Sequence, residues 1–267
     1  MIKQLDKQRI ELSCVAYGAI QDEDLLRQYR ALLSPEERSR GARFYFEKDR
    51  HRFWVTRALV RTVLAPYLGL PPEALRFTAN SYGMPLIAGA SQDLRFNISH
   101  TSQMIVLAVT TGRALGIDIE NWLQRKAAID AAHHFFSEEE SRALARLPEA
   151  EQGQRFFEYW TLKESYIKAR GMGLSIPLDR FSFGLETIGE IQFKRGEQLQ
   201  DPVSHWSFSQ YQIGDEYRLA FCVEQTEQSE QTEQTGHKQQ APSIHFYQTI
   251  PLVSESVFHP ILTRRSH

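Results

Sequence analysis

The chain has 267 residues, 42% of them hydrophobic and 24% charged, a composition that excludes wholesale disorder. Lys and Arg total 31 against 33 Asp and Glu, and this balance argues against a dedicated nucleic-acid binder. The two cysteines, Cys14 and Cys222, form neither a disulfide framework nor a CxxC zinc pair. No apolar h-region follows Met1, and the longest apolar run, Met104 to Val109, falls far short of the roughly 18 residues that span a bilayer. The expected setting is cytoplasmic, with no membrane and no nucleic-acid partner.

Alternation predicts a first strand at Glu11–Tyr17. Ser34 with Glu37 three residues on is a capping-box helix start, and a longer helical pattern runs from Arg50 to Leu68. Strands are predicted at Phe96–Ile98, Ile105–Thr110 and Gly116–Glu120. Ser137 with Glu140 repeats the capping box, and Gln154–Arg170 repeats the long helix, stopped at Gly171. Three more strands follow, at Glu190–Phe193, Trp206–Tyr211 and Tyr217–Val223. Strands and helices that mix without strict alternation favour α+β over a doubly wound sheet. The two capping boxes are offset by 103 residues, so either two capped helices are alike by chance or an α+β unit is duplicated, with a join near Thr111–Arg113. The expected division is 1–112, 113–223, a flexible linker at 224–243 built on repeated Glu-Gln-Thr/Ser triplets, and an appendage at 244–267 that either docks or hangs free. Divided this way, the formal charge is +4 in the first half, −4 in the second and −2 in the tail.

Three segments carry chemistry. In Gly116-Ile-Asp118-Ile-Glu120 the strand period puts both carboxylates on one face, a pair suited to a hard divalent cation or, more plainly, to an acidic face in solvent. In the Arg155–Arg170 helix, Phe156, Trp160 and Ile167 define an apolar stripe, with Lys163 and Glu164 on or beside it and Lys168 one turn beyond Glu164. Such charges are paired, ligand-bound or snorkelling. In Phe96-Asn-Ile-Ser99-His100-Thr101 the polar side chains at a strand end can hold phosphate oxygens or cap a turn. Adjacent strand residues face opposite ways, so Ser99–His100 does not read as a hydrolase pair.

The order Tyr82-Gly83-Met84-Pro85, Phe96 to His100, Gly116 to Glu120 and Trp160-Thr-x-Lys-Glu-Ser-x-x-Lys-x-x-Gly171 resembles the 4′-phosphopantetheinyl transferases of the large, monomeric, surfactin-synthetase-activating type, over about residues 10–223. The resemblance implies a pseudo-twofold pair of similar α+β halves with coenzyme A and Mg²⁺ (or Mn²⁺) between them. It implies transfer of phosphopantetheine to a serine of an apo acyl or peptidyl carrier protein, with release of adenosine 3′,5′-bisphosphate. By motif match, Asp118, Glu120 and Glu164 would be metal ligands, Glu164 also the general base, and Lys163 a stabiliser of the departing charge. Lys163 and Lys168 would hold phosphate oxygens, and Ser99, His100 and Thr101 would contact coenzyme A phosphates. Tyr82, Gly83, Met84 and Pro85 would line the nucleotide side, and Arg40 and Arg52 would serve the 3′-phosphate. The family often has Lys where Met84 and Glu37 stand. Competing readings are a metal-dependent phosphodiesterase or pyrophosphatase acting on coenzyme A-like substrates, and a non-catalytic module that binds carrier protein.

Overall fold

A computed structural model describes residues 2–89, 93–124, 127–196, 199–201, 205–225 and 242–266. The first half runs β1 (Arg9–Ala16), α1 (Glu23–Leu32), α2 (Pro35–Ala42), α3 (Glu47–Leu68), β2 (Phe77–Ala79), β3 (Pro85–Ile87), β4 (Leu94–Thr101) and β5 (Met104–Thr111). The second runs β6 (Leu115–Asn121), α4 (Glu138–Ala145), α5 (Glu149–Arg170), β7 (Phe181–Gly184), β8 (Gln192–Arg195), β9 (Trp206–Ile213) and β10 (Tyr217–Glu224). Last come β11 (Ser243–Ile250), β12 (Ser254–Phe258) and β13 (Ile261–Arg265). The long helices were expected three to five residues shorter, because their first turns carry polar residues that give no apolar period.

The halves repeat one topology. Sheet one contains the order β1-β5-β4 and sheet two the order β6-β10-β9, each with a small hairpin beside it, β2-β3 or β7-β8. Both capping boxes form, at Ser34/Glu37 and at Ser137/Glu140. Both long helices end on a left-handed glycine, Gly69 (φ 63°) and Gly171 (φ 63°), where a side chain would be strained. The chance reading of the internal echo is set aside by this match of element order.

Alternation along the strands builds three core layers. Val15, Ile105, Leu107 and Val109 pack with Val55, Leu59 and Leu64 of α3. Phe208, Ala220 and Cys222 pack with Phe157, Leu162 and Tyr166 of α5. The opposite faces of the two sheets meet through Leu12, Val106, Ile117, Ile119, Leu219 and Phe221. The molecule is thus layered helix, sheet, sheet, helix. Among the described residues no helix is long and apolar enough to cross a membrane.

Most of the proposed linker, 226–241, lies outside the described residues. The segment after it docks. β11 lies parallel to β1 and is covered by β12, while β13 pairs antiparallel with β9, so this tail extends both sheets. Phe246 is buried in the layer between the sheets, and Pro251 O accepts from the Tyr29 hydroxyl of α1 at 2.9 Å.

β4 and β6 meet through a polar seam. Asn97 Oδ1, Ser99 Oγ and Thr101 Oγ1 accept from the backbone N–H groups of Ile117, Ile119 and Asn121 at 3.1, 3.3 and 3.1 Å. Three alternate side chains of one half thus stand in for the missing ladder partner of an edge strand in the other. Asn97→Ala leaves the buried Ile117 N–H without an acceptor, and a loss of about 1–3 kcal/mol in urea unfolding is expected. A change within error would show that the seam contributes nothing.

Candidate active site

The site forms where α5 crosses β6. Gly116 permits the crossing: a Cβ there would stand 1.9 Å from Ser165 O and 2.4 Å from Ala169 N. Gly116, Asp118 and Glu120 share the strand face turned to α5. The two carboxylates are therefore buried, 5% and 6% exposed, and the solvent-face reading of this strand falls.

Lys168 Nζ lies 2.6 Å from Asp118 Oδ1 and 3.0 Å from Ser99 Oγ. Ser99 donates to the same Asp118 oxygen at 2.8 Å. Thr101 donates to Glu120 Oε2 at 3.0 Å. Glu164 sits one turn before Lys168 and is half-buried. Among the described residues, no three Asp, Glu, His or Cys side chains are already gathered for a metal ion. The donor set nevertheless suits a hard cation. It is all oxygen, and Asp118 Oδ2 is buried with no hydrogen-bond partner, a cost that a cation would relieve.

Beside this pair, a cleft of about 240 Å³ is lined by Tyr82, Gly83, Met84 and Pro85 of the first half and by Lys168 and Gly171 of the second. Gly83 (φ 88°) turns the loop, and Asn80 secures it by accepting from Tyr82 N and Met84 N, both at 2.9 Å. Asn80 Nδ2 also donates to Gly171 O at 2.7 Å, which ties the loop to the end of α5. Met84 packs on Gly171 where a lysine is common in the family the sequence resembles.

On β4, the alternation that turns Ser99 to β6 turns His100 the other way. Partial desolvation and the charges of Arg52 and Lys168 lower the pKa of the His100 ring from its ordinary value. Arg52 pairs with Asp49 at 3.0 Å on the adjacent α3. Arg40 lies 5.9 Å over the Phe53 ring and is exposed.

Three expectations need correction. Thr101 is not a free phosphate contact, since its hydroxyl donates to Glu120 and accepts from Asn121 N. Ser99 is not a free phosphate contact: its hydroxyl is 5% exposed and already donates to Asp118 while accepting from Ile119 N and Lys168. It positions Asp118 and Lys168 instead. Lys163 does not face the cleft at all. It is fully buried, with Glu140 Oε2 at 2.8 Å and the carbonyls of Leu178 and Phe181 each at 2.7 Å, so its three protons are spent inside the second half. The apolar stripe drawn for α5 was also too narrow, since Phe157, Tyr159, Leu162 and Tyr166 are buried as well.

The first half contains the equivalent of Lys163. Arg61, 1% exposed, pairs with the capping-box Glu37 at 2.7 Å and donates to Pro72 O and Leu75 O at 2.8 and 3.1 Å. Glu37, which stands where the family often has Lys, is thereby committed to Arg61 and to Arg57 (Nε 2.7 Å). Burial works to raise its pKa, but Arg57, the Ser34 N–H and Arg61 outweigh this and hold it below the usual carboxylate range. A lowered folded pKa stabilises above the unfolded value of about 4.3, and the stabilisation is lost as pH falls through the folded value. Glu37→Gln should therefore reduce stability at neutral pH and flatten the loss of stability below about pH 4.3, in urea titrations across the acid range. An unchanged acid profile would contradict this.

Residues 21–112 match the N-terminal part of 4′-phosphopantetheinyl transferases, and residues 114–222 match the 4′-phosphopantetheinyl transferase superfamily. The chain is 38% identical over 193 residues to a 4′-phosphopantetheinyl transferase of Bacillus subtilis, covering 72% of this chain and 83% of that one. The chain belongs to the 4′-phosphopantetheinyl transferase family. It is also similar to the 4′-phosphopantetheinyl transferase Sfp of Bacillus subtilis strain 168, 33% identical over 78% of this chain and 91% of that one. A phosphopantetheinyl transferase of Thraustochytrium is 31% identical over 72% of this chain and 70% of its own. The two family matches meet between residues 112 and 114, where β5 gives way to β6. The pseudo-twofold α+β fold of a phosphopantetheinyl transferase is therefore that of this chain. The sequence had not singled out Gly116, Asn80 or Glu140 for these roles. Only Glu140 left a signal, as the partner of Glu37 in the internal echo.

Proposed function

We propose that this chain transfers the 4′-phosphopantetheinyl group of coenzyme A to a serine of an apo acyl or peptidyl carrier protein. The observation that carries the reading is the grouping of Lys168, Asp118 and Glu120 beside a cleft that both halves line. Asp118, Glu120 and Glu164 would hold a divalent cation, Mg²⁺ or Mn²⁺, whose charge when bound offsets that of the pyrophosphate. Lys168 would take a phosphate oxygen, with Ser99 fixing its position. His100, Arg52 and Arg40 would face the nucleotide phosphates, and Tyr82 to Pro85 the base. Thr101 serves the seam and holds Glu120.

The carrier serine Oγ attacks the β-phosphorus and forms the new P–O bond. Its proton passes to Glu164, which must be ionised to take it. The bond from that phosphorus to the bridging oxygen breaks, and adenosine 3′,5′-bisphosphate leaves with the electron pair. Both halves of one chain supply the site, so a second copy is not required, in keeping with a monomer. Two free, buried thiols, Cys14 and Cys222, agree with a reducing cytoplasm.

Intact-mass measurement of several apo carrier proteins, each incubated with the purified protein, Mg²⁺ and coenzyme A, tests this. One added phosphopantetheinyl group on at least one carrier is expected. Cleavage of coenzyme A without any carrier protein would instead favour water as the nucleophile, and carrier binding without transfer would favour a non-catalytic module.

A further inference from the structure

A second, larger cavity of about 380 Å³ shares Met84 and Pro85 with the nucleotide cleft, and both halves line it. Its lining is about equally polar and apolar, the apolar part coming from Leu86, Leu94, Phe96, Leu115 and Ala169. One wall is Arg113, which immediately precedes β6. Arg113 is 5% exposed, and its Nε is buried with no hydrogen-bond partner. Burial opposes the charge of this guanidinium, and Glu224 partly supports it. Glu224, however, directs Oε2 to the Ala114 N–H at 2.8 Å.

We propose that this cavity binds a small aliphatic monocarboxylate, with Arg113 as its anchor. A buried cation with an unused donor costs free energy until an anionic acceptor meets it, and a carboxylate makes a charge-assisted bond to a guanidinium. The apolar half of the lining calls for a short hydrocarbon chain on that carboxylate, because apolar surface removed from water is the other favourable contribution available here. Asp93 and Glu224 also line the cavity, so among the described lining residues their charges balance those of Arg95 and Arg113, and a doubly charged group such as phosphate is disfavoured. The cavity shares Met84 and Pro85 with the nucleotide cleft and touches Ala169, the residue after Lys168. An occupant therefore bears on the loop and helix that frame the active site.

Binding is read without turnover, so the test stands apart from the transferase reading. Octanoate is titrated into the full-length protein by calorimetry, with octylamine and inorganic phosphate as parallel probes. Saturable one-to-one binding of octanoate is expected, with neither other probe binding at the same concentrations. Arg113→Gln should weaken it at least tenfold. Leu86→Trp, which fills this cavity but not the nucleotide cleft and leaves the guanidinium in place, should abolish it. Thermal melts establish that each variant is folded; if Arg113→Gln does not fold, Leu86→Trp decides alone. Octanoate that fails to saturate, or binds both variants as it does the parent, or is outcompeted in affinity by phosphate or octylamine, overturns the proposal.

Discussion

Lys163→Met is expected to destabilise the protein by about 3–5 kcal/mol, the usual result of leaving a buried charge without its partner. Lys163 and Glu140 are both fully buried, and the amine also satisfies the carbonyls of Leu178 and Phe181. Glu140 gives its other oxygen to Phe183 N at 2.9 Å and closes the capping box by accepting from Ser137 N at 2.8 Å. One ion pair thus fixes α4, α5 and β7 to one another. Removing the amine strands a carboxylate and two carbonyls at once. Urea unfolding gives the stability, and any variant that remains folded should retain its coenzyme A affinity, because Lys163 does not reach the cleft. A stable variant with weakened coenzyme A binding would restore Lys163 to the phosphate-binding set.

Glu164→Gln should have the opposite signature. The isosteric swap on a half-buried side chain leaves packing intact, so the melting temperature should hold. Transfer should fall by about 10²–10⁴-fold, the range that general acid–base catalysis contributes, because an amide neither takes the serine proton nor brings full negative charge to a cation. Single-turnover transfer to an apo carrier protein, followed by intact mass, measures it. A variant that transfers at the parent rate would remove Glu164 from the reaction.

These two neighbours were not told apart by the sequence, which placed both on or near one apolar face of a helix. Helix geometry puts Lys163 and Lys168 about 140° apart, on different faces of α5. Which one turns to the cleft depends on the position of α4, and α4 supplies the Glu140 that takes Lys163 inward. The internal echo could have given the answer, since Ser137, Glu140 and Lys163 follow Ser34, Glu37 and Arg61 at nearly constant offset. The polar strand misled for a related reason. Asn97, Ser99 and Thr101 were legible as an alternating set, but not as acceptors for an edge strand in the other half, because nothing local names a partner about 20 residues away across a sheet boundary.

Read in line, the chain showed its local periods: two capping boxes each followed by a long helical pattern, the second stopped at Gly171, and a strand that puts Asp118 and Glu120 on one face. Those are properties of neighbouring residues and of the backbone's own repeat. The tertiary structure decided which face met what. Gly116 let α5 settle on β6, and that contact buried the two carboxylates, drew Lys168 to Asp118 and left Lys163 to the core. It also decided that residues 243–265, whose aromatics and aliphatics left docking and hanging free both open, add strands to both sheets. Burial and charge pairing are set by what lies across a contact, and the residues across these contacts come from distant parts of the chain.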